Sequence, residues 1–420
     1  MPDNQEQSLS KYCKDSNFDL SFAHCFGVHG PIRDNVLIVE KINSVGESSD
    51  YLIFPVGVHI VQLHINKGGL FFFEGKRNGV QAVTAMALSP NHKYLAVCDL
   101  LRESTKVSIF GVISKRQIRG SLTHQILKLG GGGGNKIMSV GFSGDSKHLV
   151  AASRDLLVVW SWEKEKIVFT SALSGGEVTR VRCPFFSTAL NPFLSTSGLR
   201  HFRIWAPASH ENFKQSMVMA SQSKEQQNNF VDHVWLVDKE DKIQRVAVVA
   251  ETIKGKTNHG DWRVVIYQLA EEQTQRPKLE EQQMISLLSL KETIFLTISS
   301  FSSKLGFCVG GSNGYAFIYE KLHDKQGDPS FSLTNTCQGD QESFSSICPA
   351  LDDDHMVLFS NTKRIVSWPL NSTDSSGSSD NNDFCDLIPR GHHGPILDMD
   401  QAVQRPIFAT CGSDKTVRIW

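Results

Sequence analysis

The sequence predicts an all-β chain of repeated four-stranded antiparallel sheets arrayed about an axis, a β-propeller. Three observations predict it. Runs of β-branched residues that end on an aromatic recur about every fifty residues along the chain. Within each unit two apolar runs flank a short polar turn. Helical periodicity is nearly missing, and turn signals come every 8 to 12 residues, the spacing of short antiparallel strands.

Taken in order, the first run, HIVQLHI, ends near Ile65 and lacks the aromatic. The others close at Phe110, Trp160, Trp205, Tyr267, Tyr319, Trp368 and Trp420. Most intervals fall between 45 and 52 residues; the outlier, Trp205 to Tyr267, is 62. It contains a polar Gln- and Ser-rich stretch at 206 to 230, which reads as an inserted loop, and the tract AEEQTQRPKLEEQQ at 270 to 283 reads as a second variable segment. The turns Ser89-Pro90-Asn91-His92-Lys93 and Ser143-Gly144-Asp145-Ser146-Lys147 join the first two strands of their units, and their Pro, Gly and Asp residues preset a chain reversal. After each aromatic comes a further strand candidate, such as KIVFTSAL at 166 to 173. The best helical candidate, 279 to 296, has poor spacing and ends in a β-branched run. One four-stranded sheet is marginal alone. Stacking sheets around an axis buries both faces of each and leaves short, protected edges.

Composition narrows the function. With 43 Lys plus Arg against 44 Asp plus Glu, the chain lacks the basic excess of a nucleic-acid grip. No apolar stretch approaches the 18 residues that a membrane-spanning helix needs. The nine cysteines form no CxxC pair, and several sit in strand-like runs, which reads as reduced core thiols. No ligand set has metal spacing: His392 and His393 would face opposite sides of a strand, and Asp352-Asp353-Asp354 lacks the calcium-loop pattern. The glycines at 130 to 134 are followed by Asn135 and then Lys136-Ile137, not the Gly-Lys-Ser/Thr of a phosphate loop. No nucleophile elbow or triad spacing is present. The expectation is a non-catalytic protein with no cofactor, metal, nucleic acid, membrane or small-molecule substrate, whose partners are other proteins.

The last unit resembles a WD repeat. Gly391-His392 opens it, Ile396 to Met399 form an apolar strand, FATCGS a second, Asp414 sits in a tight turn, and Trp420 follows six residues later. In that family a His, a Ser or Thr, an Asp and a Trp form a hydrogen-bonded chain inside one blade. The resemblance places His392, Thr410 (or Ser413), Asp414 and Trp420 in those roles. The other units depart from the pattern. Six residues before their aromatics stand Arg154, Leu199, Asp261, Asn313 and Thr362, and only Asp261 is a carboxylate. For them the propeller reading rests on period and strand pattern.

The opening carries a narrower likeness. Phe26-Gly27, the strand NVLIV and the Ile-Phe-Pro-x-Gly run at 53 to 57, together with the closing unit, resemble the cilia- and flagella-associated protein 57 family of axonemal WD-repeat and coiled-coil proteins. The resemblance implies two tandem propellers followed by a long coiled coil. It also implies a cytoskeletal scaffold in motile cilia or flagella, an axonemal adaptor for inner-arm dyneins and regulatory complexes. A non-ciliary adaptor of a ligase or trafficking complex is the alternative. No heptads appear, so the chain reads as an N-terminal piece ending inside a blade.

The expected organisation is a disordered tail at 1–17, a first propeller at 18–370, a Ser/Asp/Asn-rich linker at 371–383, and the start of a second propeller at 384–420. Seven blades are expected in the first ring, with FAHCFGV at 22 to 28 completing the sheet that holds Trp368 and so removing a free edge. A single eight-bladed ring is the rival.

Overall fold

The computed structural model describes residues 25, 28, 32–42, 48–65, 67–75, 77–102, 104–120, 136–154, 156–173, 177–183, 194–209, 212–214, 227–237, 244–253, 261–271, 277–287, 293–302, 305–323, 329–339, 342–350, 353–370, 384–392 and 394–420. Strands dominate them, and the single helical element is a short 3-10 turn at Ser312–Gly314. They form seven four-stranded antiparallel sheets in chain order and an eighth of three strands. Every sheet is a simple meander, so each strand pairs with its neighbour in sequence.

The sheets pack face to face in succession. One apolar cluster joins the first sheet to the second through Ile53 and Phe110. Others join the second to the third (Ala96, Trp160), the third to the fourth (Val159, Trp205) and the fourth to the fifth (Ile204, Val248). The next two join the fifth to the sixth (Ile266, Phe307) and the sixth to the seventh (Ile318, Trp368). The seventh cluster closes the ring by packing Phe359 and Ile365 of the seventh sheet on Leu52 and Phe54 of the first. Residues of the eighth sheet belong to none of these clusters, and Ile396, Leu397, Met399, Val417 and Ile419 on it are exposed.

The closing aromatics are keystones of this packing. Phe110, Trp160, Trp205, Tyr267, Tyr319 and Trp368 all lie on the third strand of their sheets and are all buried. An aromatic of this size buries roughly 150–250 Å², so each contributes up to about 4–6 kcal/mol of transfer free energy. In four sheets the register slips by one residue immediately before the aromatic, at Ile109/Phe110, Val159/Trp160, Ile266/Tyr267 and Ile318/Tyr319. Such a bulge increases the local twist of the outer strand pair.

The polar turns repeat as well. Ser89 Oγ donates to Asn91 Oδ1 and accepts from the Tyr94 amide, while the Lys93 amide donates to Asn91. Ser143, Asp145, Lys147 and His148 repeat all three bonds. His92 and Ser146, at matching places, both take a positive φ, at 56° and 60°.

Three expectations differ from the structure, and a fourth, the strand at 22 to 28, falls largely outside the described residues. The outer strand of the seventh sheet is Cys385–Asp386, paired with Ser367 and Val366, so that sheet extends past residue 370 and the boundary at 384 falls inside it. Arg364 anchors the strand through Asp386 at 2.9 Å, and Leu387 and Ile388 pack on the cluster that closes the ring. The polar linker hides this continuity in the sequence. Of the segment 22 to 28 only Cys25 and Val28 are described. Val28 is buried in the same closing cluster, but no strand pairing is described there. Pro277–Ser286, expected as part of a variable loop, is the outer strand of the fifth sheet, and the weak helical candidate breaks up between it and Phe295–Ser300. Asn212–Lys214, inside the expected insertion, is the outer strand of the fourth sheet. Residues 1–17, 130–134, 215–226 and 371–383 lie outside the described residues.

Candidate functional site at the hub of the ring

The first strands of all seven ring sheets line a central cavity of about 830 Å³. A second bulge recurs on these first strands, and three of the positions it marks, Ala85, Arg180 and Ser346, line the cavity. In the second, fourth, fifth, sixth, seventh and eighth sheets the first strand skips one residue against the second. The positions that follow are Ala85, Arg180, Asp232, Thr297, Ser346 and Asp398. Bulges re-aim the next side chain. Arg180 and Asp232 therefore hold equivalent places on adjacent sheets, and they carry opposite charge.

They belong to a four-membered ring of ions. Arg180 pairs with Asp34 at 2.9 Å and with Asp232 at 3.3 Å. Arg182, two residues along the same strand, pairs with Asp34 at 2.9 Å and Asp232 at 3.3 Å. Asp34 precedes the first sheet, the two arginines are on the fourth, and Asp232 is on the fifth, so the network spans the hub. The Ile298 amide of the sixth sheet adds a bond to Asp232 at 3.4 Å. Burial alone would push the Asp232 carboxyl up, but Arg180 and Arg182 reverse this and hold it below the usual carboxylate range. Arg182 is likewise held above its ordinary value: burial opposes the charge, and Asp34 and Asp232 outweigh burial. Removing one member of a buried network strands the others without a partner, which costs about 3–5 kcal/mol.

Behind the ions the fourth and fifth sheets are stitched by a neutral relay. Trp235 Nε1 donates to Ser195 Oγ at 2.8 Å, and Ser195 Oγ donates to the Arg182 carbonyl at 3.2 Å. Ser195 has then used its one proton, so at 2.6 Å His233 Nε2 must donate to it, and His233 Nδ1 accepts from Ser197 Oγ at 2.8 Å. Burial, and then Arg182 and Arg180, push the His233 imidazole well below its ordinary value. Ser195 and His233 are fully buried, so this Ser-His pair is closed to solvent.

The structure brings His392, Thr410, Asp414 and Trp420 together. Trp420 Nε1 donates to Thr410 Oγ1 at 2.8 Å, Thr410 meets His392 Nε2 at 2.8 Å, and His392 Nδ1 lies 3.0 Å from Asp414 Oδ1. Ser413, the other candidate, is outside the chain; its amide bonds the Pro395 carbonyl. Sequence reasoning missed a counterpart in the fourth sheet, where Trp205 Nε1 donates to Thr196 Oγ1 at 2.9 Å and Thr196 meets His201 Nε2 at 2.8 Å. The signal was a Thr nine residues before the aromatic and a His four before it. Of the acidic run, Asp353 accepts from the Ser302 amide at 3.1 Å, and Asp352 lies outside the described residues, as does His393. Among the described residues no cluster of three or more His, Cys, Asp or Glu is placed to hold a metal ion. Burial pushes the thiols of Cys98 and Cys308 well above the ordinary range, which leaves both unreactive.

These features define a β-propeller with a WD-type hydrogen-bonded chain in its eighth sheet, and comparison with known proteins agrees. Residues 385–420 match the WD domain, G-beta repeat family. In fold the chain matches the β-propeller domain of Cps50 (Swd1) from Myceliophteria thermophila, with a TM-score of 0.53 and 13% identity over 82% of this chain and 97% of that one. In sequence it is similar to cilia- and flagella-associated protein 57 of Mus musculus, 24% identical over 94% of this chain and 32% of the relative. It is also similar to cilia- and flagella-associated protein 57 C of Tetrahymena thermophila, 20% identical over 96% of this chain and 33% of the relative. The chain spans about a third of the length of these relatives. The matched repeat begins at residue 385 and so includes the outer strand of the seventh sheet. The sequence repeat and the folded sheet are out of phase by one strand.

Proposed function

We propose that the chain is a protein–protein interaction scaffold of motile cilia or flagella, an axonemal adaptor that helps place inner-arm dyneins and regulatory complexes on the cytoskeleton. The observation that carries the reading is similarity along nearly the whole chain to proteins named for cilia and flagella in a mouse and in Tetrahymena. A closed ring of rigid sheets with many loops suits the role physically, since it presents several faces without moving.

In this reading the eighth sheet opens a second propeller. The WD-family match at 385–420 and the exposed apolar residues Ile396, Leu397 and Met399 support it, because a sheet with such a face is incomplete until another packs on it. The first reading is tested by tagging the full-length protein in a ciliated cell and labelling its neighbours by proximity. Axonemal signal with dynein-arm components among the labelled proteins is expected. A protein confined to the cell body would overturn the proposal.

A further inference from the structure

The outer rim of the ring is not uniform. Among the described residues nine large apolar side chains of the seven ring sheets are exposed, and four of them, Phe71, Ile113, Ile118 and Ile167, fall on the outer parts of the first three sheets. Ile113 is the most exposed of the nine, at 75%. It sits in the turn that leads into the outer strand of the second sheet, Gln117–Gly120. Ile118 on that strand lies back against the turn: a Cβ on Gly111 would come within 3.2 Å of its Cδ1, beside Ser114. Lys115 covers Phe71 of the first sheet, its Nζ 4.4 Å from the ring centre. Arg119 reaches Glu165 of the third sheet at 3.3 Å, and Ile167 follows two residues on. The four apolar side chains belong to one stretch of rim.

The same stretch is basic. Between Gly111 and Gly120 stand Lys115, Arg116 and Arg119 and no carboxylate. Glu74 meets Arg116 at 3.5 Å and Glu165 meets Arg119 at 3.3 Å, but both pairs are exposed and offset little of the charge. The matching turn of the third sheet, Glu163-Lys164-Glu165-Lys166, is balanced. The corner is also held in place. The Glu74 amide donates to the Lys115 carbonyl at 2.7 Å, and the Gln117 amide to the Glu74 carbonyl at 3.0 Å, so the turn is tied to the first sheet. A preorganised apolar surface edged with positive charge is complementary to an amphipathic partner of the opposite sign.

We propose that this corner of the rim docks an amphipathic helix of a protein partner, with the helix's apolar stripe on Ile113, Ile118 and Ile167 and its acidic side chains on Lys115, Arg116 and Arg119. A helix fits better than a strand, because the outer strand here has only four residues, a short edge for pairing, and so side chains make the contact. A membrane surface fits less well. Recognition of anionic lipid takes clusters of about four to eight Lys and Arg, whereas here two carboxylates stand among three cations. The inference rests on the scaffold reading and names the chemistry of one of its contacts, away from the axis of the ring.

The test uses the 420-residue chain and a fluorescein-labelled peptide of about 18 residues, long enough to hold a helix. Its leucines recur at three- and four-residue spacing and its other positions are Glu and Ala; the control peptide has Gln in place of Glu. Anisotropy at low salt should show the acidic peptide binding at least about 10-fold more tightly than the control. Ile113→Asp should weaken that binding about 10-fold, and Arg116→Glu should erase most of the preference for Glu over Gln. Both side chains are exposed, so both variants should melt at the temperature of the parent. Leu333→Ser, on the exposed outer strand of the sixth sheet, should bind the peptide as the parent does. Equal binding of the two peptides, an Ile113→Asp chain with the parent's affinity, a loss as large in Leu333→Ser, or tighter binding to phosphatidylserine vesicles than to the acidic peptide would each overturn the site. If the peptide result fails while the tagged protein still reaches axonemes, the docking site alone is wrong. If the peptide binds while the protein stays in the cell body, the ciliary reading is wrong and the site remains.

Discussion

The fourth and eighth sheets contain the same device, written differently. In both, a tryptophan that closes the third strand gives its indole N–H to a threonine on the second strand, and the threonine meets an imidazole. In the eighth sheet the histidine, His392, comes from before the first strand, and Asp414 in the turn orients it. In the fourth sheet the histidine is His201, at the start of the third strand, and its Nδ1 has no partner. Burial, then nearby Arg203, push that imidazole down to about 4, so it is neutral at physiological pH. What the fold requires is a buried acceptor for the indole and a ring to orient it; the residue order that supplies them is free to vary. Where the two sheets differ is in what covers them. Trp205 is sealed between the third and fourth sheets, whereas Trp420 is only partly buried and packs on Phe408 of its own sheet.

The sharpest way to break this comparison is to delete both indoles. Trp205→Ala should lower the stability of the ring by about 3–5 kcal/mol, while Trp420→Ala should cost about 1 kcal/mol, mostly the lost hydrogen bond. Urea unfolding followed by far-UV circular dichroism measures both, and equal losses would mean that the eighth sheet is packed as firmly as the fourth. The next effect is acid sensitivity. His201 has a folded pKa of about 4 against an ordinary 6.5, so the unfolded chain takes up its proton first. The corresponding stability is complete above about 6.5 and is lost as the pH falls through about 4, a change of roughly 3 kcal/mol. Melting curves at pH 7.5 and 4.5 should therefore converge in His201→Gln relative to the parent; an unchanged gap would remove His201 as the cause. The smallest effect concerns the cover of the eighth sheet. If a second ring packs on it, amides in Ile396–Gln401 should exchange at least about 10-fold more slowly in the full-length protein than in this chain. Equal exchange would leave the sheet solitary.

Much of the ring was legible because each sheet is local. The six buried aromatics from Phe110 to Trp368 fell at the ends of strands with the right period, and the Ser-x-Asn/Asp turns repeated bond for bond. His392, Thr410, Asp414 and Trp420 could be named because all four lie within thirty residues in a recognisable order. The fourth-sheet version was illegible because Leu199 stands where a turn carboxylate was sought, and the histidine had moved to the other side of it. Cys385–Asp386 was misplaced because two residues carry no pattern and a polar tract precedes them. The hub network left no trace in the sequence: Asp34 and Arg180 are 146 residues apart, and nothing local marks either as a partner of the other.

By itself the sequence determined the number and order of the sheets and the strand that carries each closing aromatic, since strand period, turn chemistry and closing aromatics act over about fifty residues. Only the tertiary structure decided which sheet meets the first to close the ring, which charges face one another at its centre, and which sheet is left with an open face. Those outcomes depend on the angle through which each sheet turns onto the next, and that angle is set by bulges and packing spread over the whole circle.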